Sequence, residues 1–137
     1  MSNIKAYTDL KQGRILVEIL PHNTADQTYE RVAICGENLG VPEEMQYKHN
    51  DVPFKFYSGI GVPCWSLASL LDVLPLSIYD ECDERDYELE INMMDKMPRY
   101  VRLGDLYHSQ FPYDFEKDTL LDNVVESIIW LKDNNYF

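Results

Sequence analysis

Among the side chains of this sequence that could take part in chemistry, carboxylates are concentrated between residues 80 and 90. The segment DECDERDYELE holds seven acids and a single arginine. Its densest part contains five of them: Asp80, Glu81, Asp83, Glu84 and Asp86. Burying so many carboxylates together would carry a severe desolvation cost, so we expect them at the surface and outside any catalytic site. Such a surface either aids solubility or binds a basic partner.

A group of aromatic side chains follows the acidic segment and extends the candidate partner surface. Its members are Tyr107, Phe111 and Tyr113. Tyrosine and other aromatic residues are enriched in protein interfaces, but they also fill the layer between a helix and a sheet. Core packing, a protein interface and a ligand cleft therefore all stay open for this group.

The charge of the chain excludes some partners. The formal net charge is −12, with 12 basic against 24 acidic side chains. A nucleic-acid binder needs a basic stripe that neutralises phosphates, so direct binding of nucleic acid is not expected. An anionic membrane surface is excluded for the same reason. The excess of acidic side chains is consistent with a protein that binds a basic protein partner. It is equally consistent with an inhibitor that acts by imitating phosphates with its own carboxylates.

The sequence contains no recognisable pattern for catalysis or metal binding. The three histidines lie far apart, and none has a cysteine or histidine at ligand spacing. The Gly59–Gly61 pair lacks the remaining residues of a phosphate loop, and no GxSxG elbow is present. Cys35 and Cys64 are interpreted as packed thiols, whereas Cys82 lies within the acidic segment. We therefore assign no catalytic, cofactor-binding or metal-binding residue and expect no cofactor.

Three cysteines without a CxxC motif indicate no disulfide framework. The first residues form no apolar signal segment, and no apolar run approaches the length of a membrane span. These features predict a cytoplasmic protein. Its length of 137 residues predicts a single domain over 1–137. The oligomeric state stays open.

The first half of the chain predicts one helix and two strands. Thr8 is a candidate cap for a helix over about 9–20, in which Gly13 would be a weak point because glycine costs roughly 1 kcal/mol relative to alanine. Strands are expected over 29–35 and 54–57. Residues 36–52 read as a loop, and 58–63 as a cluster of structure breakers.

The second half predicts two helices and a hairpin. Ser66 is expected to cap a helix with a buried stripe of Leu67, Leu70, Leu71 and Leu74. Strands are expected over 87–94 and 99–103, followed by a final helix that begins at Asp118 or Thr119 and ends in a left-handed turn at Asn134 or Asn135. The order α-β-β-α-β-β-α predicts an α+β fold, with a mostly antiparallel sheet of about four strands and about three helices.

Three stretches, over 6–26, 62–75 and 122–137, resemble a family of small proteins found in gut Bacteroidales genomes, prophages and mobile elements. The matching residues are Gln12, Thr24, Ala25, Asp26, Trp65, Ser66, Leu67, Leu71, Pro75, Trp130, Leu131 and Asn134. Gly13 and Arg14 replace a Ser-Lys pair of that family. The resemblance implies a bacterial or mobile-element setting, but it implies no activity, cofactor or catalytic residue.

These observations favour a non-catalytic protein-interaction or accessory factor. One alternative is an anti-defence inhibitor or nucleic-acid mimic that uses its acidic surface. Another is a small-ligand binder or enzyme with an aromatic cleft. A mimic should hold its carboxylates in ordered rows, whereas a merely solvated surface should scatter them.

Overall fold

The computed structural model describes residues 4–32, 42–54, 61–82, 84–102 and 117–137, which form three α-helices and six strands. The elements are α1 (Leu10–Leu16), β1 (Gln27–Arg31), β2 (Tyr47–Asn50), β3 (Gly61–Cys64), α2 (Leu67–Val73), β4 (Ser77–Asp80), β5 (Arg85–Asn92), β6 (Met97–Arg102) and α3 (Leu120–Asp133). Short 3-10 turns occupy His22–Thr24 and Glu43–Gln46. The strands form two antiparallel sheets, in the orders β2-β1-β3 and β4-β5-β6. The α+β class is thus confirmed, the described residues form six strands where about four were expected, and the expected order of elements is not confirmed.

The chain divides into two compact units. One unit comprises Ala6–Ser69, and the other comprises Leu70–Phe137 together with Met1–Lys5. The boundary falls inside α2. The single domain over 1–137 stays a prediction.

In the first unit, α1 begins at Asp9 rather than Thr8. The Asp9 carboxylate accepts a hydrogen bond from Gln12 N at 2.8 Å, and Gln12 Oε1 accepts one from Asp9 N at 3.0 Å. This reciprocal pair is a capping box. Thr8 is buried instead, and its hydroxyl accepts a hydrogen bond from Trp65 N at 3.0 Å. The assignment of Thr8 as the cap is therefore wrong, because tertiary contacts use its hydroxyl elsewhere. The helix also ends at Leu16, earlier than expected.

The first sheet contains two strands that the sequence did not predict. β2 lies within the expected loop over 36–52, and β3 begins inside the expected breaker cluster. Both strands lie at edges of this sheet, where glycine and proline are tolerated. Strand β1 starts at Gln27, and the end of its predicted range falls outside the described residues. The predicted strand over 54–57 also falls outside them except for Phe54, which has no regular structure.

Four residues within the stretches 6–26 and 62–75 form two contacts within the first unit. Trp65 is fully buried, and its Nε1 donates a hydrogen bond to Thr24 Oγ1 at 2.9 Å. Ser66 donates to the Asp26 carboxylate from N at 2.9 Å and from Oγ at 2.5 Å. Ser66 Oγ also accepts a hydrogen bond from Ser69 N at 3.1 Å, as expected for the cap of α2. These motif residues therefore have a structural role here.

In the second unit, the predicted hairpin is present with shifted bounds as β5 and β6, paired for example at Leu89 and Tyr100. Strand β4 was not predicted, and it pairs with β5 at Ile78 and Tyr87. Its four residues are too few to show an alternating pattern. Tyr100 is buried, and its hydroxyl donates a hydrogen bond to Pro75 O at 2.7 Å.

Helix α3 provides much of the core of the second unit. Thr119 caps it by accepting a hydrogen bond from Asp122 N at 3.1 Å, and Asn135 ends it in the left-handed region with φ 61°. Both features were predicted. Its buried apolar stripe consists of Leu121, Val124, Val125, Ile128 and Leu131. In α2 the expected stripe is only partly buried, because Leu67 and Leu71 keep partial exposure.

Candidate functional site

The outer face of strand β5 holds three carboxylates in a row. Tyr87 is buried and points to the opposite face of the sheet, whereas Asp86, Glu88 and Glu90 are exposed. Alternate residues of a strand share one face, so neighbouring members of this row lie about 6.7 Å apart along the strand. We call these three residues the acidic row. Only Asp86 belonged to the predicted surface, and the strand extends that surface to Glu88 and Glu90.

The remaining predicted acids lie around the turn between β4 and β5. Glu81 and Glu84 are exposed, and Glu84 has a left-handed backbone with φ 52°. Asp80 is partly buried, and its Oδ1 accepts a hydrogen bond from Cys82 N at 3.0 Å. Asp83 lies outside the described residues. Of the predicted acids, Glu81, Glu84 and Asp86 are thus at the surface, and Asp80 partly shapes the turn.

Among the described residues, no cation forms an ion pair with the acidic row. Arg99 lies opposite Glu90 in the strand register, but its Nη2 bonds the Asp95 carboxylate at 2.5 Å. The turn between β5 and β6 thus supplies Asp95 as the ion-pair partner of Arg99.

An exposed aromatic ring lies beside the acidic row. Tyr79 on β4 is 52% exposed and lies directly opposite Asp86, so both side chains share the outer face of the sheet. Ser77 is exposed and lies opposite Glu88. Sequence reasoning missed Tyr79 because β4 itself was missed. We call Ser77, Tyr79 and the acidic row together the acidic face.

The three aromatic residues of the predicted surface, Tyr107, Phe111 and Tyr113, fall in the range 103–116. This range lies outside the described residues. Their membership of a partner surface therefore stays a prediction.

A second polar cluster surrounds Cys64 in the first unit. The Cys64 thiol is fully buried, and its Sγ lies 3.6 Å from Thr8 Oγ1 and 3.7 Å from Gln27 Oε1. The same Gln27 oxygen lies 2.7 Å from His49 Nε2, and the His49 ring stacks on Tyr7 with centroids 3.8 Å apart. A cysteine, a histidine and an amide thus meet in space although they are distant in sequence.

The environment of Cys64 does not activate its thiol. Burial raises the pKa of Cys64 to about 11, because the thiolate would lose its hydration. A nucleophilic cysteine needs a lowered pKa and access to substrate, and Cys64 has neither. The expectation of a packed thiol is confirmed for Cys64, Cys35 lies outside the described residues, and Cys82 is exposed.

An open groove of about 590 Å³ runs along α1. Its lining residues are Asp9, Leu10, Lys11, Arg14, Ile15 and Glu44. The four charged members are exposed and their charges cancel, so the groove attracts neither anions nor cations strongly. Among the described residues it brings no buried titratable group to a ligand, which an enzyme cleft would require.

Within the described ranges, no three histidine, cysteine or acidic side chains are grouped closely enough to hold a metal ion. No helix in the same ranges is both long and apolar enough to cross a membrane. The chain matches no protein-family model, and no curated protein or solved structure shows significant similarity to it.

Proposed function

We propose that this protein is a non-catalytic interaction factor that binds a basic protein partner through its acidic face. The observation that carries the proposal is the acidic row beside an exposed tyrosine. The three carboxylates of the row point to one side of the sheet, and no described cation pairs with them. Tyr79 adds aromatic area at the same surface.

The free protein keeps an unfavourable arrangement of charge that a basic partner would relieve. Two carboxylates about 6.7 Å apart in water repel each other by roughly 0.6 kcal/mol before screening by salt. The row contains two such neighbouring pairs. A cationic surface would offset this repulsion and would be attracted to the row, which chiefly accelerates association. The ring of Tyr79 would pack against the partner and slow dissociation.

Other features of the chain support a binding role over catalysis. The Cys64 thiol is buried and its pKa is raised, which removes the most reactive group near a histidine. The groove along α1 is open and has a mixed charge. The family resemblance adds a bacterial or mobile-element setting, in which small accessory proteins act on larger partners.

A nucleic-acid mimic is the second candidate. The specific observation in its favour is that the carboxylates form an ordered row and are not scattered. Carboxylates that repeat at regular intervals along one face of a strand imitate the regular spacing of phosphates along a DNA strand. In this version the basic partner is itself a DNA-binding protein, and the acidic row occupies its phosphate sites.

Two variants of equal net charge test the proposal. The first neutralises the row with Asp86→Asn, Glu88→Gln and Glu90→Gln. The second is a control that neutralises three exposed acids elsewhere: Glu18→Gln, Asp72→Asn and Asp133→Asn. Binding of a labelled nine-residue peptide with arginine at alternate positions is measured by fluorescence anisotropy near physiological salt.

The row variant should bind the peptide about tenfold more weakly, because each lost charge contact contributes up to about 1 kcal/mol, while the control should stay within about twofold of the wild type. Equal weakening of both variants would show that only the total charge matters and would overturn the proposal. A capture experiment from a bacterial lysate tests the second candidate. If the wild type and the control retain proteins that duplex DNA then releases, the result favours the nucleic-acid mimic.

A further inference from the structure

The backbone of β4 has an open edge next to the acidic face. β4 pairs only with β5 among the described residues, and it lies at the edge of its sheet. Leu89 N donates a hydrogen bond to Leu76 O at 2.9 Å, which fixes the alternation of bonding along the strand. Residues 76, 78 and 80 therefore face β5, whereas the N–H and C=O groups of Ser77 and Tyr79 point away from the sheet.

These outward groups have no hydrogen-bond partner within the described ranges. Both Ser77 and Tyr79 are exposed. An exposed edge of this kind is a template for one more strand. Among the residues that the structure describes, nothing uses these two donors and two acceptors beside the acidic row.

We propose that the partner segment is an extended, arginine-rich or lysine-rich peptide that adds a strand to the edge of β4, an inference that rests on the proposed function. Such a strand would lie about 4.8 Å from β4 and about 9.6 Å from the acidic row. Its side chains alternate between the two faces, so only every second residue faces the carboxylates. The matching sequence therefore has basic residues at alternate positions.

The side chains of β4 suit this arrangement. Ser77 is small and stands between the open edge and Glu88, so a long basic side chain can pass over it to the carboxylate. Tyr79 stands between the edge and Asp86, and its ring offers a face to a passing guanidinium. A helix or a compact basic surface would use the charges but would leave the outward backbone groups without protein partners.

A second copy of this chain is a poor occupant for the same edge. Pairing β4 with β4 would bring two acidic faces side by side, and charges on an edge strand prevent such self-association. Each copy also carries a net charge of −12. A basic peptide has the complementary charge, which selects it over self-pairing.

The test separates backbone pairing from charge attraction. The probe is the nine-residue peptide with arginine at alternate positions and valine or threonine between them. A second peptide has the same composition with its arginines in one block, and a third carries N-methyl groups on alternate backbone nitrogens of the original sequence. On the protein, Ser77→Pro removes one outward N–H, while Ser77→Ala keeps it. Circular dichroism checks that both variants stay folded.

The alternating peptide should bind about tenfold more tightly than the block peptide. N-methylation on the pairing edge and Ser77→Pro should each weaken binding by about three- to tenfold, and Ser77→Ala by less than about twofold. If the row variant loses binding but residue order and N-methylation change nothing, strand addition is wrong while the proposed function stands. If the row variant binds as the wild type does, the proposed function fails first. A concentration-dependent dimer that blocks the peptide would overturn the choice of occupant.

Discussion

Gly13 of α1 lies directly against the backbone carbonyl of Pro63 in β3. A Cβ atom at Gly13 would come within 2.4 Å of Pro63 O and 3.1 Å of Val62 Cγ1. A contact as short as 2.4 Å essentially never occurs at a real Cβ atom, so α1 packs on β3 in this way only because residue 13 has no side chain. The residue that weakens the isolated helix thereby allows the helix to pack.

Replacing Gly13 by alanine therefore distinguishes helix propensity from packing. Propensity alone predicts that Gly13→Ala stabilises the protein by roughly 1 kcal/mol. The close approach predicts a loss of about 1–3 kcal/mol, because the helix or the strand must shift. Urea denaturation measures the difference, with Lys11→Ala as an exposed control in the same helix. A higher urea midpoint for Gly13→Ala would contradict the packing of α1 on β3.

Asp26 should make stability depend on pH in the acid range. Burial by itself would raise the pKa of Asp26, but hydrogen bonds to its carboxylate, chiefly from Ser66 and also from Ser69, together outweigh burial and hold the pKa below its ordinary value of 3.8. The folded form thus favours the charged carboxylate. Its contribution is fully present above the ordinary pKa and is lost as the pH falls through the lowered one.

Asp26→Asn should accordingly lower the free energy of unfolding at pH 7 by under about 1 kcal/mol, since the carboxylate is largely exposed. The difference from the wild type should shrink near pH 2. Denaturation at both pH values measures it, and Glu18→Gln serves as a control carboxylate without this contact. A difference that stays constant between the two pH values would show that the Ser66 hydrogen bonds do not govern the pKa of Asp26.

Asn123 of α3 joins two other segments of the second unit. Its amide is buried, donates to Lys96 O at 2.7 Å and accepts from Lys117 N at 2.9 Å. Asn123→Ala should cost about 1–2 kcal/mol, because Lys96 O and Lys117 N, which are only partly exposed to water, would both lose their side-chain partner. Asn123→Asp should be no better, since a carboxylate cannot donate to Lys96 O. Thermal melting checks both variants, and an aspartate variant as stable as the wild type would refute this role.

The prediction of a single domain can be tested by asking whether the two units unfold together, because each unit contains one tryptophan. Trp130→Phe leaves Trp65 as the only tryptophan, and Trp65 reports on the first unit. Ile128 is fully buried in the second unit, so Ile128→Ala should cost roughly 2–5 kcal/mol. Because α2 crosses the boundary between the units, we expect this loss to move the Trp65 fluorescence transition as well. An unchanged Trp65 midpoint, alongside a shifted transition in circular dichroism, would mean that the units unfold separately.

The sequence predicted the candidate site only in part. The density of carboxylates in the segment was enough to predict that Glu81, Glu84 and Asp86 lie at the surface, because burying a charged carboxylate costs free energy. The extension to Glu88 and Glu90 required the register of β5, and Tyr79 required β4. A four-residue strand has too little pattern to be recognised, and its place in the sheet depends on pairing with residues of β5.

Local sequence determined the elements whose signals lie within a few residues of each other. The α3 helix is bounded by Thr119 and Asn135 and carries its own apolar stripe, so it was predictable from end to end. The β5–β6 hairpin was predictable because its two strands adjoin one short turn. Caps, turns and periodicity all act over such short distances.

Tertiary structure alone decided the features that need distant partners. Asp9 caps α1 in place of Thr8, because the Thr8 hydroxyl accepts a hydrogen bond from Trp65 N. Gly13 is required for packing, because the carbonyl of Pro63 lies directly against it. Strands β2 and β3 exist because β1 pairs with both. In each case the stabilising contact joins residues more than ten positions apart, and no local pattern encodes which residue will arrive there.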